Sequence, residues 1–210
     1  MIFFEPHKRD KTLFPWDPFK AMIAPRPVGW ISTRSKAGLV NLAPYSFFNA
    51  FSGAPPLVGF CSEGEKDSKV FAQDSGEFVW NMATWDLREK MNMTSAPLAR
   101  GDSEFEHAGL ETAPCVLVGA PRVAASPCAL ECRVTQIVQL TDMDGNMANR
   151  NLVLGQVIGL HVDERYLKDG MIDIVAMKPI ARCGYQDYTA IDRVFPIRRP
   201  EGAGNSAGGG

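Results

Sequence analysis

Three short stretches of the 210-residue chain carry the residue types that ligand chemistry requires. Residues 41–49 read NLAPYSFFN. Asn41, Ser46 and Asn49 offer hydrogen-bonding groups, and Tyr45, Phe47 and Phe48 offer flat surface. Pro44 has no N–H, so regular sheet pairing is expected to lapse there and free the backbone for a ligand. A flat heteroaromatic ligand with polar edges needs that mixture. The alternative is an edge strand with a bulge and core phenylalanines. The second stretch is Lys66, Asp67 and Ser68 at the start of an expected helix. N–H groups there lack intrahelical acceptors and favour an anion. The lysine ammonium and the serine hydroxyl complete a phosphate site, unless Asp67 only caps the helix. The third stretch, residues 181–188, holds Arg182, Tyr185 and Tyr188, which suit a pocket wall, a subunit interface or plain packing.

Other chemistries lack their motifs. There is no G-x-S-x-G, H-E-x-x-H or C-x-x-C, and no G-x-G-x-x-G follows a strand. His7, His107 and His161 are scattered, and no catalytic residue is assigned. Cys61, Cys115, Cys128, Cys132 and Cys183 show no paired spacing, so free buried thiols and no metal site are expected. Glu104 and Glu106 flank Phe105 ahead of a glycine and read as a solvated helix face.

The elements that would position these groups are mostly strands. Extended segments are expected at residues 28–33, 57–61, 78–82, 129–140, 152–162 and 172–177. In the fourth, the apolar phase slips between Val134 and Ile137, as a bulge would produce. Gly155 and Gly159 inside the fifth imply close backbone approach. Short helices are expected at residues 67–74, 86–94 (capped by Asp86) and 102–108. Such a chain is mainly β with peripheral short helices and fits a closed barrel. Residues 1–200 read as one domain. Residues 201–210, EGAGNSAGGG, have no side chain to bury and read as a disordered tail. The net charge of −2 gives nucleic acid and membrane surfaces no attraction. No apolar run spans a bilayer and charges interrupt the N-terminus, so a cytoplasmic location is expected.

These pieces, in order, resemble the flavin reductase-like, FMN-binding split-barrel family. The resemblance rests on PRPVGWIST, NLAPYSFFN, PPLVGF and KDS, then EFVWNM, SEFEHAGLETAP, ALECRV, GQVIGLHV and ARCGYQDYTAIDRVFPIRRP, covering about residues 20–200. It implies a split barrel that binds FMN rather than FAD at a homodimer interface. It also implies NAD(P)H as co-substrate and a small-molecule acceptor or flavin-dependent partner enzyme. The flavin-binding residues it implies are Asn41, Ala43, Pro44, Tyr45, Ser46, Phe47 and Asn49, with Lys66, Asp67 and Ser68 at the phosphate. Ser68 stands where the family usually has threonine, and Cys183-Gly184-Tyr185 where some relatives carry a glycine pair. A flavin-linked oxidase and a non-enzymatic flavin carrier are the competing readings.

Overall fold

The computed structural model describes residues 1–198 and Pro200; the expected tail at residues 201–210 lies outside them. Seven strands form one antiparallel sheet: β1 (Gly29–Arg34), β2 (Val40–Tyr45), β3 (Phe48–Gly53), β4 (Pro56–Glu63), β5 (Glu77–Asn81), β6 (Cys128–Thr141) and β7 (Met147–Val162). Their order is β2-β1-β5-β6-β7-β4-β3. β2 and β3 therefore sit at opposite edges, yet only Ser46 and Phe47 separate them in sequence. A two-residue link between the edges forces the sheet to curl until they approach. The result is a barrel with an unladdered seam, the architecture the sequence led us to expect. No helix among the described residues is long and apolar enough to cross a membrane.

Alternation along the strands fills the barrel with Ile31, Val58, Phe60, Phe78, Cys132, Val153 and Val157. Phe60 and Phe78 meet edge to face at 5.3 Å. Trp30 points the other way and is buried with Leu42, Met91, Phe105 and Leu110, under α2 (Arg88–Met93) and α3 (Glu104–His107). Its Nε1–H donates to Thr94 Oγ1 at 2.9 Å, so the covered indole leaves no polar group unmet. The bulge of β6 lies at Thr135, where the register against β7 shifts by one residue. Gly155 faces Phe78 so closely that a Cβ would lie 2.4 Å from the ring. Gly155→Ala is therefore expected to destabilise the barrel by about 1–3 kcal/mol, read as a lower urea midpoint with an unchanged slope.

Several local expectations are corrected. Pairing does not lapse at Pro44: β2 runs in register with β1 through Pro44 opposite Trp30 and Tyr45 opposite Gly29. Leu42, two residues earlier and in the same phase, turns its N–H outward to Glu104. Pro44 thus stands where an N–H would face away from β1, and its absence removes no ladder bond. Residues 172–177 are not a strand. Only Met171–Ile172 is extended, and Asp173 then caps a helical turn, Ile174–Met177, by accepting the Ala176 N–H at 2.9 Å. The helix expected from Asp86 begins at Arg88, and no side chain caps it. Residues 180–190 form an unforeseen hairpin, β8 (Ile180–Gly184) and β9 (Asp187–Ala190).

A loop between α3 and β6 is held to the barrel by two carboxylates. Glu131 on β6 accepts the N–H groups of Val116, Leu117 and Val118 at 2.6–3.0 Å. Glu77 on β5 accepts those of Gly119 and Ala120 at 2.6 and 3.0 Å. Both glutamates are buried. Five successive backbone donors without strand partners are thus satisfied by two side chains.

Candidate functional site

The outer edge of β2 forms one wall of a hollow of about 580 Å³. Asn41, Ala43, Pro44 and Tyr45 line it, together with Lys66, Asp67 and Ser68 at the start of α1 (Asp67–Ser75). The remaining wall comes from Glu104 and the loop at residues 94–100. Two of the three candidate stretches' chemistries, the amide-and-aromatic surface and the cationic helix start, therefore meet in one place.

Asn41 is a buried strand residue and not a turn residue. Its Oδ1 accepts the Ser68 hydroxyl at 2.5 Å, and its Nδ2 donates to Glu104 Oε1 at 2.9 Å. Glu104 Oε2 accepts the Leu42 N–H at 3.0 Å. This corrects the reading of Glu104 as solvated: it is buried and braces the site. Burial raises its carboxyl above the usual range, against the N–H groups that favour its charge. Burial likewise raises the Tyr45 phenol, against the hydroxyls of Ser68 and Ser62, so Tyr45 stays neutral and able to donate.

At the helix start, Asp67 does not cap. No side chain caps α1, and Lys66, Asp67 and Ser68 at its start line the hollow, so its first-turn N–H groups are unpaired beside it. The Asp67 carboxylate is instead paired with Arg100 Nε at 2.6 Å, while Arg100 Nη2 donates to the Glu65 carbonyl at 3.0 Å. Lys66 stands exposed at the N-cap position. α1 closes at Gly76, whose φ of +75° suits only glycine comfortably. Arg100 and Glu104 were missed in the sequence because their partners lie 33 and 63 positions away.

Ser46, Phe47 and Asn49 are not brought to this hollow. They line a second one of about 320 Å³ with Ile23, Arg26 and Phe51. Ser46 gives its carbonyl to Arg26 Nε at 3.2 Å, and the Phe47 ring lies 5.9 Å from both Lys20 Nζ and the Arg26 guanidinium. Asn49 is exposed, and its Oδ1 accepts the Ala50 N–H. Arg182 and Tyr188 stack at 4.5 Å beside a third hollow of about 460 Å³, and Arg88 covers Trp85 there at 4.1 Å.

The sequence profile of the flavin reductase like domain matches residues 22–175. The chain belongs to this family. An uncharacterized family relative from Halalkalibacterium halodurans is 35% identical over 184 residues, covering 85% of this chain and 87% of its own. Component B of nitrilotriacetate monooxygenase from Bacillus cereus superposes with a TM-score of 0.83 at 28% identity, over 94% of this chain and 98% of that one. Flavoredoxin of Desulfovibrio vulgaris shares the fold, with a TM-score of 0.73 at 18% identity over 83% and 91% of the two chains. As a flavin reductase-like protein the chain is a flavin-binding oxidoreductase by family.

The hollow against β2 suits a flavin nucleotide. It offers an uncapped helix start and a cation for a phosphate, the buried Asn41 amide for a polar edge, and the strand edge at Pro44 and Tyr45 for a ring. Ser68 lines the hollow with Lys66 and Asp67, and its hydroxyl donates to Asn41 Oδ1. Ser68 thus positions Asn41. Ser68→Ala is expected to weaken flavin binding by roughly two- to twelvefold, the worth of one neutral hydrogen bond. Equilibrium titration monitored by flavin fluorescence measures it.

Proposed function

We propose that the protein binds FMN in the hollow against β2 and moves reducing equivalents from NAD(P)H to an acceptor. The observation that carries this reading is the convergence of Lys66 and the uncapped α1 start with the Asn41–Tyr45 wall in one hollow. Lys66 and the first-turn N–H groups hold the phosphate dianion. Asn41, fixed between Ser68 and Glu104, presents its remaining polar capacity to the ribityl chain or ring edge. Tyr45, its ring set against Phe60, and Pro44 border the hollow along the strand edge and offer the flavin ring apolar contact there. When bound, FMN supplies the hydride chemistry itself, so the protein needs no acid–base side chain of its own. That the Bacillus cereus relative is named as a monooxygenase component favours a flavin-dependent partner enzyme as the acceptor.

The same reading makes the protein a homodimer. Ile23, Phe47 and Phe51 remain exposed around the second hollow, and a second copy laid there would bury them. Light scattering is expected to give twice the 23.0 kDa chain mass; a monomer carrying full flavin would remove the shared interface. On this reading the protein works in the cytoplasm, where nicotinamide is at hand and its five free cysteines stay reduced.

The test is to identify the flavin released from purified protein and then mix the flavin-loaded protein with NADH or NADPH in a stopped-flow instrument. FMN and rapid bleaching of the flavin absorbance are expected. FMN without bleaching would make the protein a flavin carrier, and absence of any flavin affinity would overturn the reading.

A further inference from the structure

Away from that hollow, with β1 and β5 lying between it and β6 in the sheet, Cys115, Glu131 and His161 converge. Their ligand atoms, the Cys115 thiol sulfur, a Glu131 oxygen and a His161 ring nitrogen, all lie within 4.8 Å of one another. Glu131 and His161 come from adjacent strands. The one-residue register shift between Val157 and Gly159 of β7 sets them close, and His161 Nε2 lies 2.6 Å from Glu131 Oε1. Cys115 begins the loop whose next three N–H groups are fixed on Glu131. All three groups are therefore held by rigid backbone. Glu131 is 1% exposed, whereas Cys115 and His161 are only half-buried, which leaves a path for an ion. Cys115 lines a hollow of about 980 Å³ and His161 another of about 410 Å³, so the cluster is reached from two sides.

We infer that Cys115, Glu131 and His161 form a binding site for a divalent cation of the zinc class. The donor set decides the class. One thiolate, one imidazole and one carboxylate suit a borderline cation with tetrahedral preference, whereas calcium and magnesium take oxygen. Two ligands of a tetrahedral zinc stand about 3.5 Å apart, so the cluster needs only a small closure. Glu131 keeps its loop N–H bonds, because the ion replaces only the hydrogen between His161 Nε2 and Oε1. The proton balance is explicit: the Cys115 thiol releases its proton to solvent, and the neutral His161 carries its proton on Nδ1 and ligates through Nε2. Water fills the fourth position. Burial and the Glu131 charge push the Cys115 thiol up to about 12, with Arg122 acting the other way. A bound cation reverses that preference and makes the thiolate the stable form. The ion ties the loop to β6 and β7 and is independent of flavin.

The experiment is equilibrium dialysis of the full-length, flavin-loaded protein against micromolar Zn²⁺, with metal analysis and thermal melts in Zn²⁺ and in EDTA. One zinc per chain and a higher melting temperature in Zn²⁺ are expected. Cys115→Ala and His161→Gln each should weaken zinc binding at least tenfold and abolish the melting shift, while melting like wild type in EDTA. Two variants are used so that a folding failure of one leaves the other decisive. No zinc retained by the wild type, or equal retention by Cys115→Ala, overturns the site and assigns Glu131 and His161 to loop anchoring alone.

Discussion

Lys66→Ala is expected to weaken FMN binding by roughly tenfold to a hundredfold, the worth of a charge-assisted hydrogen bond of about 1.5–3 kcal/mol. The structure sharpens the reason. Asp67, the neighbouring anion, is already paired with Arg100, and the Ser68 hydroxyl already donates to Asn41 Oδ1. Lys66 and the first-turn amides are then donors for a phosphate at this end of the hollow, with the Arg100 guanidinium, anchored through Nε and Nη2, beside them. Riboflavin, which has no phosphate, should bind both proteins alike. Since Lys66 is exposed and caps nothing, the apo melting temperature should not move. Paired titrations with FMN and riboflavin decide the matter. Equal losses for the two ligands would make Lys66 a structural residue and move the phosphate elsewhere.

The second large effect is expected at Glu131. Glu131→Ala leaves the N–H groups of Val116, Leu117 and Val118 without their acceptor. Removing one partner from a buried charged network is worth about 3–5 kcal/mol, or a fall in Tm of roughly 6–20 °C for a domain of this size. Measured in EDTA, the loss reports the hydrogen bonds without any contribution from a bound ion. Glu106→Ala, on the same helix as Glu104 but exposed, should shift the melting temperature hardly at all. A Glu131→Ala variant as stable as wild type would show that solvent satisfies the loop amides and that the clamp contributes nothing to stability.

What the sequence made legible was what local pattern determines. Apolar runs bounded by prolines or a Ser-Gly turn located β1, β4 and β5, periodicity located β6, whose phase slip after Val134 marked the bulge at Thr135, and β7 was found with its start five residues late. The run at residues 172–177 misled because a short apolar segment suits a strand or a buried helical turn equally, and the Asp173 cap tipped it toward the helix. The site was legible in its composition and not in its geometry. Residues 41–49 read as one continuous surface, but the bend at Ser46 and Phe47 sends Ser46, Phe47 and Asn49 to a different hollow from Asn41 and Tyr45. Glu104 was invisible as a site residue because what makes it one is Asn41, 63 positions earlier. The same holds for Cys115, Glu131 and His161, whose spacing follows no ligand motif and whose proximity exists only in the folded barrel.

The edge of β2 carries one more consequence. An open strand edge is a template for another chain, and its outward N–H groups are what a foreign strand would seek. Here Leu42's donor is already occupied by Glu104, and the next outward position, Pro44, has none to offer. At these two positions the edge that borders the hollow has no free N–H with which to pair a further strand. An edge left uncovered beside a hollow is in this way blunted as a template for another strand.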